Sequence, residues 1–283
     1  MLKLNETGRL KHFKNLLGQN NHYLITILIG LEGVRLRKVS KDESFNVKWN
    51  PKSIEDSVTR SRRFARNAGL SWAIDSIDSY LGFLKKDPFS FPKDIQDKLS
   101  ERSIYCRLKT ITDFCKYSTN LSLAIVHLGI QWRNNLIHYH ADNELEAKYR
   151  NFIEKSINAP DVSNRFCSLD LKDLLSHFDK KESPKFKEVA SIIQSIHDVI
   201  TELDKILVNS IDLKKYCLKL GKMNDNTNAI RNILASNPSK KMKKFKQFLL
   251  NNDFIEVESE VSKGLLSDCD LEEILTIIAS KRI

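Results

Sequence analysis

Residues 121–140 read LSLAIVHLGIQWRNNLIHYH, and the fold follows from how that string winds. Leu121, Ile125, Leu128, Trp132, Leu136 and Tyr139 recur at spacings of four and three, which stacks them as one core-facing stripe of a helix. His127, Gln131, Asn134 and His138 keep the same rhythm about a third of a turn away. Arg133 and His138 enclose four residues, which sets them about 140° apart around the axis. They flank a third face of Val126, Ile130 and Ile137. That face is too apolar to be left in water, so the helix is expected to be covered on two sides. One cover is its own domain; the other is a further helix or a second subunit. Arg, Asn and His rimming an apolar contact point to a site at an interface.

Upstream, Ser53 opens a helix with Asp56 placed as its capping-box partner, running to about Lys86 with a bend near Gly69. Its first half carries Arg60, Arg62, Arg63 and Arg66; its second half packs through Ala73, Ile77, Tyr80 and Leu84. Pro88 and Pro92 mark a loop, and one helix is expected over residues 94–117, with Ser118-Thr119-Asn120 capping the central helix. Residues 1–20 read as a short basic helix. Residues 21–39 fit a strand by β-branching but a helix by Leu24, Ile27, Leu28, Leu31 and Val34, and helix is preferred. Phe45, Val47 and Trp49 alternate as a short strand or extended lid.

Downstream, a helix is expected to about Ile157, ended by Pro160, then a short one over residues 169–178. Pro184 to Val208 is the cleanest periodic element, with Phe186, Val189, Ile193, Ile196, Ile200, Leu203 and Leu207 in its stripe. The last seventy-odd residues read as a small helical unit with a basic segment carrying Lys240, Lys241, Lys243, Lys244 and Lys246. The expected architecture is all-α: an N-terminal segment (1–50) packed on a helical domain (51–208), followed by a basic helical C-terminal domain (209–283).

Composition narrows the function classes. Among 283 residues there are only 9 Gly and 6 Pro, which favours long helices over turn-rich β structure. A net charge of +10 argues for a polyanionic partner. Cys106, Cys115, Cys167, Cys217 and Cys269 are scattered with no C-x-x-C, the usage of a reducing compartment without a zinc knuckle. No signal peptide precedes the first helix, and the longest apolar run, Tyr23 to Leu31, is far short of a membrane span. The expectation is a cytoplasmic protein with no membrane partner. No Walker loop, G-x-G-x-x-G, H-E-x-x-H or G-x-S-x-G occurs, so NTPase, dinucleotide, zinc-protease and serine-hydrolase readings have no support.

An Arg, a polar residue, three further positions and then His, late in a core helix of an all-α domain, resembles the R-x4-6-H signature of the HEPN superfamily. The resemblance covers about residues 50–150 and rests mostly on the central helix. It implies a HEPN-like helical bundle and a metal-independent endoribonuclease whose core forms where two motif helices meet in a homodimer. Arg133, Asn134 and His138 match the motif as catalytic residues. His140 gives the longer R-x6-H spacing and is accessory; His127 shares the polar stripe and either extends the site or is structural. By the same resemblance the setting is defence, as a toxin or a phage-triggered ribonuclease, with an antitoxin or regulatory partner.

The chemistry suits these residue types. Histidine serves as general acid or base near neutral pH. Arginine offers a planar fork of donors matched to phosphate oxygens. The substrate is RNA (tRNA, mRNA or another structured RNA) because only RNA carries the 2′-hydroxyl nucleophile. No cofactor or metal is implied: His138 and His140 point apart on a helix, and no Cys or further His completes a shell. Asp75 and Asp78 are both placed to pair with Arg133. The Arg60, Arg62, Arg63 and Arg66 cluster and Lys240, Lys241, Lys243 and Lys244 are the candidate RNA-binding residues, with Phe245 and Phe248 either stacking bases or anchoring their helix. Two other readings stay open: a non-catalytic HEPN-like module binding RNA or protein, and a helical adaptor that recruits an effector.

Overall fold

The computed structural model describes all residues except 43, 87, 90, 139, 158–165, 167, 259–264 and 281–283. Among the described residues there are twelve α-helices, one short 3-10 turn and one two-stranded sheet. In chain order these are β1 (Leu2–Leu4), α1 (Gly8–Arg35), α2 (Ile54–Leu84), α3 (Lys93–Leu99), α4 (Ile104–Phe114), α5 (Leu121–Ile137) and α6 (Ala147–Ser156). Then follow α7 (Leu171–Asp179), α8 (Phe186–Ser210), α9 (Leu213–Lys222), the 3-10 turn Asn224–Asn226, α10 (Thr227–Leu234), α11 (Pro238–Leu250), β2 (Phe254–Glu256) and α12 (Asp268–Ser280). The all-α class expected from the sequence holds. Three expected features, Tyr139 in the core stripe, Pro160 as a helix stop and Cys167, lie outside the described residues.

The chain forms two units, each built from separated stretches. Unit 1 takes Met1–Phe13, Ser79–Tyr117 and Ile200–Ile283; unit 2 takes Lys14–Asp78 and Ser118–Val199. The expected boundaries near residues 50 and 208 fall inside these units.

In unit 1 the first residues form a strand where the sequence reads as a basic helix. Leu2 pairs with Glu256, Lys3 with Ile255 and Leu4 with Phe254, antiparallel. Leu2 and Leu4 face inward while Lys3 stays partly exposed, the period-two pattern of a half-buried strand. The C-terminal helices therefore share a unit with the N-terminus. A carboxylate fixes this arrangement. Asp204 is fully buried and accepts from the Thr7 amide at 3.0 Å, the Thr7 hydroxyl at 2.5 Å and the Tyr80 hydroxyl at 2.8 Å. Burial pushes its carboxyl pKa up, while the Thr7 and Tyr80 hydrogen bonds pull it back down.

In unit 2, α5 is the core. Asn120 caps it, its side chain accepting from the Leu123 amide at 2.9 Å. Ten of its residues, Ser122 through Ile130 and Trp132, are buried. Helix α6 packs on it. A Cβ on Gly129 would approach Ile192 Cγ2 to 2.8 Å, so α5 and α8 touch almost backbone to side chain. The Trp132 ring meets Phe178 edge-on at 6.1 Å, and its indole N–H donates to the Glu182 carbonyl at 2.8 Å. The third face is thus covered by the chain itself: Val126 and Ile130 are buried and only Ile137 remains half exposed.

Elsewhere the elements follow local chemistry. Helix α1 is continuous where two segments are expected. Helix α2 starts at the Ser53 cap, whose hydroxyl accepts from the Asp56 amide at 3.2 Å, and runs unbroken through Gly69. That glycine permits close approach of α1: a Cβ there would come to 3.1 Å of Leu24, and the Asn20 amide donates to the Gly69 carbonyl at 2.9 Å. The helix expected over residues 94–117 is two, because the Ser103 hydroxyl accepts from the Cys106 amide at 3.2 Å and starts a new one. The Phe45–Trp49 stretch carries no strand, and its three large apolar side chains are exposed.

Two predictions follow from these contacts. Gly129→Ala should lower stability by about 1–2 kcal/mol despite better helix propensity, and in an Ile192→Ala background that cost should disappear. Denaturant melts of the four proteins test this; equal cost in both backgrounds refutes the contact. Asp204→Ala should cost about 3 kcal/mol, since it strips the acceptor from three buried donors. Because burial raises the Asp204 pKa, the native state keeps a proton that the unfolded chain loses near the ordinary Asp value of about 3.9. Its contribution is complete below that value and declines as pH rises through the higher native value. The gap between wild type and Asp204→Ala should therefore narrow with rising pH across that window.

Candidate functional site

The end of α5 gathers the motif residues. The helix stops at Ile137, and His138 is its cap in extended backbone (φ −100°, ψ 107°), its amide donating to the Asn134 carbonyl. The polar stripe expected to run helically to His138 is therefore cut one residue short, and the 140° separation from Arg133 does not apply. The physical reason is the loop that follows. The Asn135 side chain donates to the Asn143 carbonyl at 2.9 Å and accepts from the Asn143 amide at 2.8 Å. Gln131 donates to the Glu144 carbonyl at 3.2 Å. These bonds fold residues 141–144 back along the helix end and leave His138 facing solvent.

Arg133 is held from two sides. Its guanidinium meets Asp75 Oδ1 of α2 at 2.7 Å and donates to Asn134 Oδ1 at 3.2 Å. Of the two carboxylates the sequence offers, Asp75 takes the ion pair. Arg133 is 19% exposed and Asp75 58%, so the bridge lies at the surface end of a mostly covered side chain. Such a half-exposed pair is worth about 1 kcal/mol or less. A phosphodiester, with the same single charge and two non-bridging oxygens that match the guanidinium fork, can compete with the carboxylate. Arg133, Asn134 and His138 thus share one helix end, with Arg133 and Asn134 in direct contact.

The accessory histidines separate. His140 is exposed. His127 is fully buried and stacks on Tyr149 with ring centres 4.1 Å apart, so it packs α5 on α6 and does not reach the surface site.

The basic candidates also divide. Arg60 and Arg63 are exposed, Arg63 donating to the Ser183 hydroxyl at 2.8 Å. Arg62 is ion-paired with Glu32. Arg66 is half-buried, and desolvation lowers its pKa. In α11, Lys240 and Lys243 are exposed and Lys241 partly so; Lys244 donates to the Ser236 hydroxyl at 2.8 Å, and Lys246 pairs with Asp268 at 2.7 Å. Phe245 and Phe248 are buried with rings stacked 6.1 Å apart, so they anchor α11 and offer no face to a base. The arginines belong to unit 2 and the lysines to unit 1.

Sequence reasoning missed the Asn135–Asn143 clamp and the cleft beside it. That cleft, about 330 Å³, is lined by Asn135, Asp142, Glu144, Arg150 and Asp179 among others; Arg150 pairs with Asp179 and Asp142 with Lys181. The doubled Asn and the polar run from Ala141 to Glu144 were the available signal. Cys106, Cys115, Cys217 and Cys269 are free thiols, with burial pushing Cys115 and Cys217 up to about 12. Among the described residues there is no group of three His, Cys, Asp or Glu arranged to hold a metal, and no helix long and apolar enough to cross a membrane.

Comparison of the chain with family models, with curated proteins and with solved structures finds no match.

If the Asp75 bridge is as weak as its exposure implies, Asp75→Ala should change unfolding free energy by less than about 1 kcal/mol. The same variant should bind a short RNA oligonucleotide more tightly in low salt, because the guanidinium is released. A loss of several kcal/mol would mean that Asp75 is a structural partner of Arg133.

Proposed function

We propose that this chain is a HEPN-like, metal-independent endoribonuclease whose reacting groups are Arg133 and His138, with Asn134 orienting the guanidinium. The observation that carries this reading is the α5 end: a mostly covered arginine, tied at its tip to an exposed carboxylate, beside a solvent-facing histidine. In the proposed reaction the ribose 2′-oxygen attacks the adjacent phosphorus as a histidine accepts its proton. The bond from phosphorus to the 5′-oxygen breaks, and that oxygen takes a proton from a second histidine. The products are a 2′,3′-cyclic phosphate and a 5′-hydroxyl. Arg133 neutralises charge on the phosphoryl oxygens, which is worth most at the transition state.

One copy supplies one His138, so the reaction needs a second copy to bring the other. Because Val126 and Ile130 are covered within the chain, that pairing must go through the exposed end, Ile137, His138 and His140, and not along the α5 flank. Arg60 and Arg63 and the free lysines of α11 are the proposed contacts to RNA phosphates. A role in defence, with an antitoxin or regulatory partner, is the setting that the resemblance implies.

A second reading is a binding module without cleavage. It is favoured by the Arg133–Asp75 pair, since a guanidinium already neutralised is the arrangement of a structural bridge.

Purified protein incubated with total RNA in EDTA separates the readings. The enzyme should leave cyclic-phosphate ends, with activity falling at least about a hundredfold in His138→Ala and in Arg133→Ala. Cleavage that survives both changes places the chemistry elsewhere, and RNA retention without cleavage supports the module.

A further inference from the structure

Helices α1 and α2 of unit 2 run antiparallel: Leu24 lies against Gly69, whereas Glu32, further along α1, pairs with Arg62, further back along α2. Between them lies an open groove of about 500 Å³. One wall is the α1 row Tyr23, Ile27 and Leu31; the other is the α2 row Phe64, Ala68 and Trp72. Both rows have the i, i+4, i+8 spacing of a helix ridge and extend about 12 Å, a little over two turns. Buried Asn20, Leu24, Ala65 and Gly69 form the floor. Tyr23, Ile27 and Trp72 are about half exposed and Phe64 is 75% exposed, an unusual amount of large apolar surface to leave together.

The charge is lopsided along the groove. The Tyr23 ring and the Trp72 ring close one end, 6.3 Å apart. Continuing each row by four residues toward the other end gives Arg35 on α1 and Arg60 on α2. Arg35 is bound to Glu32, whereas Arg60 makes no hydrogen bond or ion pair among the described residues. On the opposite flank of α1, exposed Ile25 and Ile29 lie beside Arg62 and Arg66. Glu55 also acts on Arg35, so Arg60 carries the uncompensated charge at the Arg35–Arg60 end.

We propose that the α1–α2 groove is a docking site for an amphipathic helix of a partner protein, its apolar ridge in the groove and acidic side chains at the Arg35–Arg60 end. Parallel ridges over a recessed floor match the ridge of a helix, the helix-in-groove mode of recognition. A flat bilayer surface leaves that floor uncovered. A second copy sets concave against concave and basic against basic. The uncompensated Arg60 selects an acidic partner over a basic one.

The test uses the full chain and a synthetic amphipathic helical peptide of about four turns, with a leucine ridge at i, i+4 and i+8 and flanking glutamates. A control peptide carries lysines in their place. The acidic peptide should bind saturably and shift Trp72 fluorescence; the lysine peptide should bind at least about tenfold more weakly. Ala68→Trp, which fills the groove at an exposed position, should weaken binding at least about tenfold without changing the melting temperature, and Arg60→Glu should invert the preference between peptides. No saturable binding, equal binding of both peptides, or binding untouched by Ala68→Trp overturns the proposal. So does uptake by phosphatidylserine vesicles in place of the acidic peptide, or a dimer that Ala68→Trp dissolves. The readout involves no RNA, so it stands or falls apart from the ribonuclease reading.

Discussion

Contact between Gly129 and Ile192 sets the height and rotation of α5, and the surface chemistry of unit 2 inherits both. A helix apolar nearly all round has no preferred face, so hydrophobicity alone would let it rotate or slide. The missing side chain at 129 admits Ile192 to a distance that no other residue tolerates. The Trp132 indole bond to the Glu182 carbonyl fixes the register from the other side. With both in place the last turn emerges at one orientation, presenting Arg133 toward Asp75 and leaving His138 at the cap.

Strong and weak interactions are divided unevenly around that helix end. The loop beyond it is held by paired bonds between Asn135 and Asn143, which replace backbone pairing and are costly to break. Arg133, in contrast, is restrained at its tip by one exposed carboxylate and the Asn134 side-chain oxygen. The loop is held by paired bonds, and the guanidinium is loosely neutralised where the proposed function would place a phosphate.

Much of this was legible in the sequence. Four-three spacing located α5 and α8, Asn120 and Ser53 were legible as the caps of α5 and α2, and all-helical content followed from scarce Gly and Pro. Helix ends were less legible. Helices α1, α4 and α7 end with Arg37, Lys116 and Lys181 in the left-handed region, where glycine is the usual signal; no residue type announced those stops. The strand at Leu2–Leu4 was missed because three residues are too short a window for period two against a basic background. At the site, the polar stripe was drawn on a helix assumed to continue through His138, and its true end depends on Asn143, a partner in the following loop that periodicity does not encode. His127 fell on the polar stripe by spacing but is buried, because stacking on Tyr149 is a tertiary contact.

The interleaving of the two units bears on how the polypeptide is born. Every residue of unit 2 has been synthesised once position 199 is reached, whereas unit 1 needs its opening stretch to await residues beyond 200. Thr7 must find Asp204, 197 positions away, and Leu2–Leu4 must find residues 254–256. Closing loops of that size is slow. The strand Leu2–Leu4 therefore stays without its partner until residues 254–256 have been made, and assembly order is dictated by geometry more than by local helix strength.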